Sequence, residues 1–176
     1  MKIRLEQLKR EDIGPCKKEY KRALNIWGKD TEISAIDFLD NGFSIIDVLF
    51  INFHFPGFVE YDRKKVAIDL FKQYFDVFPH PIINILVDRL EGNESVVNLQ
   101  KEFKSLYNLF DSNKDVQSVV CAAGWLCEDE IGDDAVYKIA DIGIKILGEE
   151  IKEKQNKIFK SAIFYGDREA YESRET

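Results

Sequence analysis

Residues Ser44 to Gly57 read SIIDVLFINFHFPG, and the fold class turns on them. Ile45, Ile46, Val48, Leu49, Phe50, Ile51, Phe53 and Phe55 would cover nearly every face of a helix. A helix that is apolar all round is a buried helix. A buried β-strand is the competing reading, because Ile, Val and Phe are strand formers. Length favours helix, and so does the start signal. Ser44 can cap the first turn, and Asp47, three residues on, is an acidic variant of the capping box. Pro56-Gly57 supplies the stop. The stretch therefore predicts a helix over about Ile45 to Phe55.

Helix signals continue on both sides. Gly14-Pro15 opens a segment from Cys16 to Trp27, with Pro15 at the first helical position. Its inner face is Tyr20, Ala23, Leu24 and Trp27, and Gly28 can close it. A short helix over about Ile33 to Asp40 stops at Asn41-Gly42. After the quoted stretch, Tyr61 to Phe78 carries Val66, Leu70, Tyr74 and Val77 on one side, widened by Ala67, Phe71 and Phe78. Pro79-His80-Pro81 breaks the chain, and Ile82 to Leu90 is a short apolar helix. Ser95 caps the next segment, in which Val96, Leu99, Phe103, Leu106 and Phe110 are periodic. Asn113 to Cys127 follows. Asp133-Asp134 then begins a long pattern reaching about Phe164, with Val136, Ile139, Ala140, Ile144 and Leu147 inward. Gly143 and Gly148 each cost about 1 kcal/mol inside a helix, and mark either close helix contacts or a break. No strand–turn–strand alternation stands out. The pattern predicts an all-α fold, a single-domain bundle of about eight helices over residues 1–165 with a long C-terminal helical segment. A charged, frayed tail is expected over residues 166–176.

Composition agrees with one folded domain. The chain has 176 residues, 45% hydrophobic and 32% charged, which excludes wholesale disorder. At that length a core can form without disulfides or a structural metal. Lys and Arg number 25 against 32 Asp and Glu, and the net charge of −7 argues against direct binding to nucleic acid. Met1 to Arg10 has no apolar core of a secretory signal, and Phe43 to Val59 is too short and too polar to span a bilayer. Cys16, Cys121 and Cys127 fit no disulfide framework and read as reduced thiols. A cytoplasmic protein without membrane attachment is expected.

Catalytic motifs are missing from the sequence. There is no phosphate-binding Gly-rich loop, no H-E-x-x-H and no C-x-x-C. His54 lies at a helix end and His80 between two prolines, so both read as structural or solvated. Cys121 and Cys127 would point to different faces of one helix, about 600° apart. No cofactor and no metal is expected, and the chain reads as non-enzymatic.

Charge distribution is the informative feature. Glu128, Asp129, Glu130, Asp133 and Asp134 put five carboxylates within seven residues. They form a cation site, a docking surface for a basic partner, or a solvated loop with a favourable helix N-terminus at Asp133 and Asp134. The ordered spacing of an EF-hand loop is lacking. Asp30 to Glu60 carries Asp30, Glu32, Asp37, Asp40, Asp47 and Glu60 but no Lys or Arg, whereas Met1 to Lys29 has nine basic and four acidic side chains. These charges either pair within the fold or leave an acidic face that steers a basic partner. The candidate partner-binding residues are Glu128, Asp129, Glu130, Asp133, Asp134, Asp37 and Asp40. Arg63-Lys64-Lys65 reads as a solvated basic face.

The order of segments over Ile3 to Phe71 also carries a resemblance. An L-x-x-L element (Leu5, Leu8) leads to Gly14-Pro15-Cys16, then to an amphipathic helix ending in Trp27. A short acidic helix ending at Asn41-Gly42, the apolar helix at Ile45 to Ile51, and a basic start at Arg63-Lys64-Lys65 follow. This order resembles the mostly α-helical, acidic immunity proteins of bacterial polymorphic toxin and contact-dependent inhibition systems. The resemblance implies a protein that binds and blocks another protein, without catalysis, and names no contact residues. Three readings follow. One is an inhibitor of a basic toxin or host defence protein, immunity-like or phage-encoded. Another is a self-associating helical scaffold or phage accessory protein, for which 13 Phe and 7 Tyr provide apolar surface. The third is an enzyme with a carboxylate metal site at Glu128, Asp129, Asp133 or Asp134, although the Glu-x-x-His pairs of di-iron bundles do not occur.

Overall fold

The structure, a computed structural model, describes residues 1–9, 17–73, 88, 91–92, 118 and 131–164. These residues are mainly α-helical. Among them are six α-helices: α1 (Lys17–Trp27), α2 (Ala35–Asp40), α3 (Ile45–His54), α4 (Arg63–Lys72), α5 (Asp133–Leu147) and α6 (Ile151–Ala162). Two short strands, β1 (Ile3–Arg4) and β2 (Glu32–Ile33), and a 3-10 turn at Leu5–Lys9 complete them. The expected helices within residues 74–130, apart from Asp88 and Ser118, which are helical, together with the Gly14-Pro15-Cys16 entry to α1 and the tail at 166–176, lie outside the described residues. The chain divides into two compact units, one of Met1–Tyr61 with Phe159–Thr176 and the other of Asp62–Ile158.

In the first unit, β1 and β2 pair antiparallel, with Ile3 opposite Ile33 and Arg4 opposite Glu32. Ile3 and Ile33 are buried while Arg4 and Glu32 face water, as the alternation of a strand requires. The L-x-x-L element is the 3-10 turn. Residues three apart eclipse one another there, so Leu5 and Leu8 share one buried side. The helix expected from about Ile33 begins instead at Ala35. Ile33 is held by the ladder, and Ser34 is the cap: its Oγ accepts from Asp37 N at 3.3 Å, while Asp37 Oδ2 accepts from Ser34 N at 2.9 Å.

The quoted stretch forms α3 and not a strand. Ser44 Oγ accepts from Asp47 N at 3.3 Å, and Asp47 Oδ2 accepts from Ser44 N at 2.8 Å, which closes the capping box. The helix is buried on one face, not all round. Ile45, Val48, Leu49, Ile51 and Asn52 are buried, Ile46 and Phe50 are half-buried, and Phe53 is exposed. Asn52, the polar break in the apolar run, turns inward for a reason. Its Oδ1 accepts from the buried Val59 N at 3.1 Å and so fastens the chain that returns after Pro56-Gly57.

Aromatic rings fill the middle of this unit. Phe38 touches Trp27, Phe43 and Phe58 at centroid distances of 5.2, 5.0 and 6.2 Å. On the expected inner face of α1, Ala23 is buried, while Tyr20, Leu24 and Trp27 are half-buried. Tyr61 bridges Ile163, Phe164 N donates to Glu60 O at 2.9 Å, and the Tyr61 and Phe159 rings lie 4.6 Å apart. Each large apolar side chain buried in this way contributes roughly 1.5–3 kcal/mol.

In the second unit α4 starts at Arg63, two residues later than the apolar pattern suggested. Asp62 is its cap and accepts from Lys65 N at 2.9 Å. α4 packs on α5. Val66, Ala67, Leu70 and Phe71 are buried from one helix and Ala135, Val136, Ile139 and Ala140 from the other. The long C-terminal pattern is two helices. α5 stops at Gly148, whose φ of 91° is open to glycine at little cost, and α6 starts at Ile151. Gly143 stays helical and buried within α5. Gln155 of α6, itself buried, donates from Nε2 to Ala140 O at 3.1 Å.

Candidate functional site

The candidate carboxylates fall into two groups, one in each unit. Glu128, Asp129 and Glu130 lie outside the described residues. The other four are placed.

In the first unit, Asp37 is the third residue of α2. Its Oδ2 accepts from both the amide and the hydroxyl of Ser34, at 2.9 and 2.8 Å. Asp40, at the last position of α2, is exposed and ion-paired with Lys160 of α6. Lys160 and Arg22 both bear on the C-terminal end of α2, where the orphan carbonyls and the helix dipole favour positive charge. Arg22 Nη2 donates to Asn41 O at 2.6 Å and Nη1 to Gly42 O at 3.3 Å. Its guanidinium also lies 4.4 Å over the Phe43 ring. Arg22 thus caps a helix of the acidic segment through its carbonyls, while its own ion pair is with Glu19 of the basic segment at 3.3 Å. Charge does pair between the two segments at Glu32, whose Oε1 lies 3.7 Å from Arg4 Nε.

In the second unit, Asp133 and Asp134 occupy the first turn of α5, where carboxylates suit the helix dipole. They differ in availability. Asp133 is only 14% exposed and accepts from Arg63 Nε at 2.6 Å. Asp134 is 62% exposed and has Lys138 Nζ at a loose 3.8 Å. The basic run that begins α4 is exposed at all three residues, as a solvated face would be. Within it Arg63 meets Asp133 and Lys65 donates to Asp69 at 2.8 Å. The Arg63–Asp133 pair joins residues 70 apart in sequence. Nothing in local spacing announces it; the only signal was the opposite charge of two helix starts.

Two exposed helix pairs shift their groups. A hydrogen bond from Lys157, with its charge, holds the Glu153 carboxyl below its ordinary value. A hydrogen bond to Asp141, with its charge, raises Lys145. Both are i,i+4 surface pairs of modest worth.

Among the residues considered for catalysis, His54 is exposed at the end of α3, its ring 4.8 Å from Phe50. His80 and the three cysteines, Cys16, Cys121 and Cys127, lie outside the described residues. Among the described residues no three His, Cys, Asp or Glu side chains are grouped to hold a metal ion. Among them, too, no helix is long and apolar enough to cross a membrane. Of the four placed candidates, Asp134 is the one whose carboxylate is most open to an outside cation. Compared with known proteins, the chain matches no family model, no curated protein and no solved structure.

Proposed function

We propose that this chain is a non-enzymatic, protein-binding inhibitor that blocks a basic partner, a toxin or a host defence protein, in the manner of an immunity protein. One observation carries the reading: carboxylates are concentrated in Asp30–Glu60 and Glu128–Asp134 within a chain of net charge −7. Acidic patches of this kind steer a basic partner and raise its rate of encounter. The residues proposed for contact are Glu128, Asp129, Glu130 and Asp134. Asp133, Asp37 and Asp40 would contribute field more than direct contact, because each already has a partner inside the fold. The reading includes a cytoplasmic location, no cofactor, and the full all-α bundle of about eight helices that the periodicity implies.

The test is a tagged pull-down from lysate of the encoding or host cell, eluted with a salt step and identified by mass spectrometry. The expected result is one stoichiometric basic protein released by salt. The combined variant Glu128→Lys, Asp129→Lys, Glu130→Lys should then bind it at least about tenfold more weakly, since like charges across an interface are costly. Unchanged affinity of that variant would remove the acidic cluster from the interface. Recovery of the bait alone, at a multiple of its monomer mass, would replace the inhibitor reading with a self-associating scaffold.

A further inference from the structure

We draw no further inference here: the strongest candidate, the partly exposed apolar stripe of Ile46, Phe50 and Phe53 along α3, carries nothing because nothing in the structure shows what covers it.

Discussion

Asn52 and Arg22 show how much a polar residue can do in an apolar setting. Asn52 sits in the strongly apolar α3, yet its side chain is buried and accepts the Val59 amide. Replacing it with Leu keeps the volume and removes the acceptor, leaving a buried N–H unsatisfied. Asn52→Leu is expected to destabilise by about 1–3 kcal/mol. Urea unfolding would measure the loss, and faster hydrogen exchange at the Val59 amide would locate it; a stability equal to the parent would show that the bond contributes nothing net. Arg22 combines three roles: two carbonyl contacts at the end of α2, a pair with Glu19, and the face of Phe43. Arg22→Ala should cost roughly 1–2 kcal/mol, from the dipole and cation–π contributions together. Arg22→Lys should recover less than half of that, because an ammonium lacks the planar fork. Full recovery by Lys, read from the same unfolding curves, would reduce the role to charge alone. Neither role is legible from the residue's own neighbours. Asn52 reads as an interruption of the apolar run, and the carbonyls that Arg22 reaches are some twenty residues away in sequence.

At the level of elements, what could be read was what is local. Ser44-x-x-Asp47 announced the start of α3 and Asn41-Gly42 the end of α2, because caps are made by residues within one turn of each other. Ser34-x-x-Asp37 carries the same signal. Asp37 stands out by its charge, and its spacing from Ser34 matches that of Asp47 from Ser44. The β1–β2 pairing was out of reach, since two-residue strands contain no alternation to detect. The break at Gly148 was half legible: the glycine was visible, but the apolar pattern runs through it, and only the positive φ decides for two helices. Gly148→Ala should therefore cost about 1–3 kcal/mol from backbone strain. The new Cβ would also meet the Glu150 carboxylate, a flexible side chain that can move aside. A thermal melt would measure the change, and a rise in stability would contradict the assigned turn. The helix pairs give a pH signature. Lys157 lowers Glu153, so this stabilisation is present above the ordinary carboxylate value and fades as pH falls through the lowered one. Asp141 raises Lys145, so that stabilisation is complete below 10.5 and is lost as pH rises through the raised value. Glu153→Gln should then lower the melting temperature slightly near pH 7 and leave it unchanged near pH 2. A larger loss in acid would contradict the direction of the shift.

At the scale of the molecule, a net charge of −7 does not by itself make a binding surface, because charges that already have partners inside the fold offer less to an outside cation. Asp133 and Asp134 are adjacent and chemically identical, and they separate the two uses of charge. Asp133 is nearly covered and close to Arg63, whereas Asp134 is open and only loosely near Lys138. Asp134→Lys is expected to cost no more than about 1 kcal/mol, since the site is exposed but the first turn of α5 favours an anion over a cation. It places like charge beside Lys138, one turn along α5, at a cost of only a few tenths of a kcal/mol. If the acidic end of α5 steers a basic partner, the same change should slow association several-fold, and the deficit should shrink as salt screens the field. Asp133→Asn should act mainly on stability. It weakens the contact of α4 with α5 through Arg63, lowering stability by roughly 1 kcal/mol, and it slows association less than Asp134→Lys does, because it removes one charge of the field where the Lys variant reverses one. Stopped-flow association at two ionic strengths, alongside urea unfolding of both variants, distinguishes the two roles. If Asp134→Lys associates at the parental rate at low salt, the carboxylates of α5 serve the helix dipole and not a partner.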